Sequence, residues 1–290
     1  MLASTSKIGK GYILTSTTIS AAVIIVTLVV LLSSSWDAIS NINIHLFTVT
    51  WNPPANQFGI LSMLYGTLAV TCIALCISIP LGILTAIFTS EFLSSKYRFA
   101  VKSLLELLAG IPSIIYGLIG IAFFSVWLQN AFDLQSGRTI LAGGILLGIM
   151  ILPTIITLSD DAIQNVPSNY KEAAYGLGLY KYEVIKNVLL PIAKPNLIGA
   201  ILLSLGRAMG ETMAVMLVIG SIDRIPNPIY NVLSPGQTIT SKLGREIGES
   251  SFGSTHFSAL IFMGVFLLSI VIVLTIIAQQ KYKSKERLYE

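Results

Sequence analysis

The chain has 290 residues, 54% of them hydrophobic and only 11% charged, with a mean hydropathy of +0.80. Soluble domains carry roughly 25% charged residues, so a water-soluble protein of this size would lack the polar material to cover its surface. Disordered, collagen-like, coiled-coil and disulfide-scaffold chains are excluded by the same composition. An integral membrane protein remains, and its net charge of +4 then belongs to loops rather than to a nucleic-acid surface.

A helix needs about 20 apolar residues to cross the hydrocarbon core. Six segments qualify, at 12–32, 62–88, 104–128, 139–158, 196–220 and 258–279. The first follows Lys7 and Lys10, but its apolar stretch is about 21 residues, beyond the roughly 7–15 of a signal peptide. It reads as an uncleaved membrane helix. The second holds Cys72 and Cys76, the only cysteines, at a spacing that suits side-by-side packing better than a bridge.

The third run contains Gly110, Pro112, Gly117 and Gly120, which make it irregular and small-faced, for packing or for lining a path. Glu106 stands two residues inside it, near enough to its end to snorkel to the interface. Gly144 and Gly148 in the fourth run suit helix packing. The fifth carries Arg207 and Glu211 near its middle. Together with Glu106, these are the only charged residues within the six runs.

Orientation follows from Lys and Arg. With the N-terminus inside, the inner side holds 13 of them, including the basic tail from Lys281 to Arg287, and the outer side four. The excess places both termini in the cytoplasm. Trp36 and Trp51 in the first outer loop and Trp127 at the outer end of the third run fit interfacial positions. Neither an internal repeat nor a second soluble domain is evident. The chain reads as one all-α transmembrane domain over 1–290.

Three of the segments that join the runs are long and polar, at 33–61 and 221–257 outside and at 159–195 inside. The 221–257 segment, with Pro226, Pro228 and Pro235, reads as an irregular or partly re-entrant loop. The inner segment differs. Pro167 and Asn169, with Glu172 three residues on, predict a capped helix start. Gly176 and Gly178 permit a bend or the close approach of another backbone. A second helical stretch with Tyr182, Val184, Ile185, Val188 and Leu189 is expected to stop near Pro191. By itself this pattern fits either a docking element or an ordinary hairpin between spans.

Enzymatic chemistry finds no support. No Gly-x-x-x-x-Gly-Lys-[Ser/Thr] phosphate loop, His-Glu-x-x-His or Gly-x-Ser-x-Gly occurs. The two histidines, His45 and His256, are far apart, and no cluster has metal-ligand spacing. No catalytic or metal residue is therefore assigned. The distinctive polar feature is Arg207 with Glu211. A charge in mid-membrane costs roughly 2.5–3.5 kcal/mol, so such residues face protein or water. Spacing i, i+4 puts the two on one helix face, beside a Gly206-x-x-x-Gly210 stripe suited to close helix approach. Two roles stay open, a translocation path in which Arg207 meets an anion and a buried pair that neutralises itself.

Two sets of motifs carry a resemblance. Glu172-Ala173-Ala174, three residues, Gly178, nine residues and then Val188-Leu189-Leu190-Pro191 resembles the EAA loop of ABC importer permeases, with Val188 in place of the usual Ile. Further stretches resemble the phosphate-specific (Pst) permeases over roughly residues 50–280. They include Trp51-Asn52-Pro53, Ile79-Pro80-Leu81-Gly82, Ala109-Gly110-Ile111-Pro112-Ser113 and Gly206-Arg207-Ala208-Met209-Gly210-Glu211-Thr212-Met213-Ala214-Val215. The last ending is similar to the PstC-type subunit rather than to its PstA-type sister.

The resemblance implies a type I ABC importer permease, with six transmembrane helices and a cytoplasmic coupling loop at 159–195. Glu172, Ala173, Ala174, Gly178, Leu190 and Pro191 would then couple to a separate pair of ATPase subunits, which bind the ATP. This chain itself would hold no cofactor. A second, PstA-like permease and an extracytoplasmic phosphate-binding protein complete the implied assembly, in the bacterial inner membrane and in contact with lipid. Arg207 and Glu211 would line the substrate path for inorganic phosphate. A PstA-type subunit or a permease for molybdate or sulfate is the alternative within the class, and a secondary transporter or channel is the rival outside it.

Overall fold

The computed structural model describes residues 2–286, with side chains for 9–40 and 45–280. Lys7 and the basic tail from Lys281 to Arg287, used in the orientation argument, lie outside the described side chains. Among the described residues six helical segments are long and apolar enough to cross a membrane: Gly9–Ser40, Leu61–Glu91, Ser113–Ala131, Ile140–Gln164, Lys181–Gly210 and Thr255–Gln280.

Helix α1 (Leu2–Ile42) presents apolar side chains on nearly every face, among them Ile13, Val23, Ile25 and Val29, all more than half exposed. A surface so uniformly apolar belongs in lipid. A short hairpin follows, β1 (Trp51–Asn52) paired antiparallel with β2 (Gln57–Phe58). Helix α2 (Leu61–Glu91) then runs the length of the bundle.

The third run differs from its sequence expectation. It is not one helix over 104–128. An amphipathic helix, α3 (Ser95–Ala109), ends before Gly110-Ile111-Pro112, and the membrane-length unit begins only at Ser113. Pro112 disfavours helical backbone at Ile111, which breaks the run there. The Tyr116 hydroxyl donates to the Leu108 carbonyl at 2.9 Å across the break. Glu106 therefore sits on α3, outside the span. The span consists of α4 (Ser113–Ile119), a π turn over Gly120–Phe124 and α5 (Ser125–Ala131).

Helix α6 (Ile140–Gln164) is the most enclosed element. It lies along α2 with small residues against branched ones. A Cβ at Gly144 would come within 2.6 Å of Ile73, one at Gly148 within 3.2 Å of the Ala74 carbonyl, and one at Gly82 within 2.5 Å of Ile155. Close backbone approach of this kind binds membrane helices where water exclusion cannot. Val70, Ala74, Leu147 and Ile151 form the centre of this core. Gly117 and Gly120 press in turn on Ala214 and Val218, so the small face of the third span serves packing.

The 159–195 segment contains α7 (Ser168–Gly176) and α8 (Lys181–Val184). The second helical stretch does not stop at Pro191. A π turn over Ile185–Leu189 leads directly into α9 (Leu190–Gly210). A proline ring clashes with the carbonyl four residues back, and a widened turn just before it relieves that clash. The fifth span thus starts earlier than expected. It also ends earlier, because Glu211 is extended (φ −67°, ψ 129°) and a separate short helix, α10 (Met213–Val218), follows.

The 221–257 loop is ordered and folds back into the bundle. Its helix α11 (Ile239–Glu246) buries Ile239, Ser241 and Lys242. The Gln237 carbonyl lies so close to α2 that a Cβ at Gly66 would be 2.0 Å from it. Helix α12 (Thr255–Glu286) closes the chain and packs beside α1.

Candidate functional site: an arginine groove and a docking helix

Arg207 lies in the last turn of α9 and is exposed on that helix's open face. Its Nη1 donates to Thr154 Oγ1 of α6 at 2.8 Å. Around it runs a groove of about 810 Å³ lined by Thr154, Pro195, Gly199, Leu203, Gly206 and Val271. The wall is mostly apolar, and among the described residues Arg207 is the only ionisable group in it. Gly206 and Gly210 do not pack closely within this chain. A Cβ at Gly206 would meet only Val271 at 3.8 Å, and one at Gly210 nothing.

Arg207 and Glu211 do not share a helix face, contrary to the spacing argument. The helix ends between them. The Glu211 carboxylate turns to the next element and accepts from the Ala214 backbone N–H at 3.1 Å, while its carbonyl accepts from the Thr240 hydroxyl at 2.6 Å. Gly244 of α11 packs on Thr212 in the same break, where a Cβ would come within 2.7 Å of its methyl. The orphan amides at the start of α10 and the contact with α11 stabilise a break that the hydrophobic pattern alone does not reveal. Among the described residues no ion pair joins Arg207 to Glu211.

At one end of the bundle, α7 and α8 form the helix–bend–helix. Helix α7 begins at Ser168 behind Pro167, so Asn169 lies inside it and caps nothing. Gly178 makes the bend with φ +82°. The Leu179 N–H donates to the Ala174 carbonyl at 3.2 Å and the Gly178 N–H to the Tyr175 carbonyl at 2.9 Å, a Schellman termination. Ala174 is buried among Ala86, Ala162, Ile163 and Leu189, whereas Glu172 and Ala173 face outward. Beside them Tyr175, Leu177, Tyr180 and Tyr182 stand exposed, Leu177 at 83%. Leu190 is half-buried, and Pro191 is exposed in the first turn of α9.

Sequence reasoning missed the anchors of this element. Glu91, at the end of α2, accepts from Lys171 Nζ at 2.5 Å through its carboxylate and from Lys181 Nζ at 2.6 Å through its carbonyl. Lys181 also sits over the Phe92 ring, 4.2 Å from its centre. The partners are about 80 and 90 residues apart in sequence, so no local pattern marks them.

At the opposite end Lys242 is 3% exposed and pairs with Asp223 and, at 2.6 Å, with Glu246. Glu246 also accepts from Trp51 Nε1 and meets His256 Nε2, each at 3.0 Å. Trp51 is thus bound into a polar cluster instead of lying free at an interface; Trp36 and Trp127 remain largely exposed. Burial pushes the Glu246 carboxyl up, but its bonds to Lys242, His256 and Trp51 outweigh this and hold it below its ordinary range.

Six membrane-length helices around an α2–α6 core, with an exposed EAA helix at one end, define the membrane subunit of an ABC importer. The chain belongs to that family, since the family described as the binding-protein-dependent transport system inner membrane component matches residues 78–284. Within it the chain is a member of the PstC-type permeases. It is 35% identical to the phosphate transport system permease protein PstC of Mesorhizobium japonicum, covering 91% of this chain and 87% of that protein. It is 33% identical to the PstC of Haemophilus influenzae, covering 89% and 86%. A probable ABC transporter permease of Bacillus subtilis, YqgH, is 35% identical over 77% of this chain and 72% of its own.

Among solved structures, an inward-facing MetNI methionine ABC transporter matches in fold, with TM-score 0.57 and 17% identity over 78% of this chain and 94% of that one. A bacterial ABC transporter for alginate import matches with TM-score 0.51 and 16% identity over 77% and 79%. Membership makes the chain a multi-pass inner-membrane transport component that works with an ATPase and a substrate-binding protein and is not itself the enzyme.

Proposed function

We propose that this chain is the PstC-like permease of an ATP-driven importer of inorganic phosphate. The observation that carries the reading is the setting of Arg207. Its guanidinium bonds to a neutral threonine and opens on an apolar groove, and among the described residues it has no carboxylate partner. A charge so placed is costly unless an anion or water meets it. Its planar fork suits two oxygens of one phosphate. Thr154 fixes the fork and leaves its other donors for the ion. Glu211 brings a negative charge into the same stretch of chain and tempers affinity, so that the anion can leave.

One arginine does not balance a phosphate dianion, so a second, PstA-like permease supplies further cations and covers the groove, with Gly199, Gly206 and Gly210 allowing close approach. The exposed Glu172–Ala173 face and the tyrosines around it dock one ATPase subunit of a pair, which binds the ATP. An extracytoplasmic phosphate-binding protein delivers substrate at the opposite end. Both termini then lie in the cytoplasm, on the side of the docking helix. The 13-to-4 distribution of Lys and Arg supports that orientation.

The test is uptake by the reconstituted assembly in proteoliposomes, with ion gradients collapsed and ATP supplied to the ATPase. Phosphate uptake that needs ATP, and that excess sulfate or molybdate leaves unchanged, is expected. Uptake driven by an ion gradient alone would refute the ATP-driven reading, and preferential uptake of sulfate or molybdate would refute phosphate as substrate.

A further inference from the structure

Covalent continuity ties the docking helix to α6 on one side and α9 on the other. The structure adds a third tie, to α2. The last carbonyls of α2 have no partners within the helix and accept from cations elsewhere in the chain. Arg98 of α3 donates to the Thr89 and Ser90 carbonyls, the former at 2.8 Å. Lys181, at the start of α8, donates to the Glu91 carbonyl. The Glu91 side chain is only 9% exposed and takes Lys171, the residue just before the EAA triplet. Beneath, the Thr89 hydroxyl donates to Asp160 of α6 at 2.9 Å, and Lys102 of α3 bonds to Asp161 at 2.5 Å. Four elements therefore converge on one helix end.

We propose that Glu91 is a positioning residue for energy coupling: it locks the docking helix to α2, so that a push on α7 moves α2 and α6 as one body. This rests on the reading that α7 docks the ATPase. A single residue joins the two because its partners lie on both sides of the Gly178 bend: the Glu91 carboxylate holds Lys171 on α7, and its backbone carbonyl holds Lys181 on α8. With both held, the bend cannot flex and absorb the stroke. Ala174, packed on Ala86 and Ala162, supplies contact but no directional bond. Without the Glu91 carboxylate α7 loses its tie to α2 while Lys181 keeps its carbonyl, so the docking surface keeps its shape, yet the bend is free on the α7 side and the stroke is spent in bending the loop.

The experiment uses the reconstituted complex at matched membrane levels. Phosphate taken up per ATP hydrolysed is measured for Glu91→Gln, Lys171→Glu and the exchange Glu91→Lys with Lys171→Glu. Glu91→Gln is expected to lower that ratio roughly threefold or more, within the span of known coupling mutations, with ATPase co-purification unchanged. The exchange should recover much of the ratio lost in Lys171→Glu. An unchanged ratio in Glu91→Gln would overturn the proposal. So would loss of co-purification in that variant, because Glu91 would then shape the dock instead of transmitting through it.

A second measurement guards against a variant that folds poorly. With Cys72 and Cys76 replaced by Ala, a disulfide between Glu91→Cys and Lys171→Cys should preserve uptake, since a strut need not open. Uptake lost on oxidation and regained on reduction would overturn the rigid lock. Failure of the underlying reading looks different: the ATPase would then co-purify equally well when the exposed Glu172–Ala173 face is altered.

Discussion

Arg207 on α9 donates to Thr154 on α6 at 2.8 Å, and this bond, not a pairing with Glu211, sets the direction of the guanidinium. It joins the enclosed core helix of the bundle to the last turn of the helix that lines the open groove. Among the described residues no carboxylate pairs with Arg207. That is the condition for meeting an anion.

The proposed substrate contact requires the charge of Arg207. Arg207→Lys should keep partial phosphate uptake, because it retains charge but loses the fork. Arg207→Gln should abolish uptake with the protein still in the membrane. Thr154→Val should lower uptake roughly tenfold, the scale of one hydrogen bond to a charged group. Since Arg207 and Glu211 bond to different partners, Arg207→Gln with Glu211→Gln should be no milder than Arg207→Gln alone. Recovery in the double variant would show that the two neutralise each other after all.

Gly178 separates strain from docking. Its backbone is left-handed, yet a Cβ there meets nothing within 4 Å in this chain. Gly178→Ala should therefore cost only the strain of that conformation, about 1–2 kcal/mol, and keep most ATPase co-purification. Gly178→Trp adds bulk at a position open around its Cβ, where a docked partner would meet it, and should lose both co-purification and uptake. Equal behaviour of the two variants in a pull-down would place the partner elsewhere.

The orientation can be read with an impermeant thiol reagent in intact cells, once Cys72 and Cys76 are replaced by Ala. Tyr230 and Tyr180 are both 79% exposed, at opposite ends of the bundle. Tyr230→Cys should label and Tyr180→Cys should not. The reverse pattern would invert the assignment of sides.

Acid should loosen the cluster around Lys242. The Glu246 pKa is held below its ordinary value in the folded state, so the carboxylate contributes stability that is complete above the ordinary carboxylate range. This contribution is lost as pH falls through the depressed value. Glu246→Gln should flatten that acid dependence. It should also lower stability at neutral pH by about 1–3 kcal/mol, because Lys242 loses one charged partner and keeps Asp223 and the Trp51 ring. Thermal unfolding of the purified protein between neutral and acidic pH measures both effects.

Composition alone determined that this chain belongs in a membrane, because 11% charged residues do not cover a soluble surface. Apolar runs gave the number of spans, and the ordered spacing of Glu172, Gly178 and Pro191 marked the helix–bend–helix of the EAA loop, since both signals are local along the chain. Where the spans begin and end depended on tertiary structure. Pro112 moved the start of the third span to Ser113. The π turn before Pro191 let the fifth begin inside the loop, and contacts from Thr240 and Gly244 stabilised the break at Glu211 that no hydrophobic pattern records. The direction of Arg207 and the convergence of Lys171 and Lys181 on Glu91 were likewise decided only by the fold. Hydrogen bonds and ion pairs between residues 53 to 90 positions apart depend on which helices lie side by side, and sequence spacing carries no trace of that.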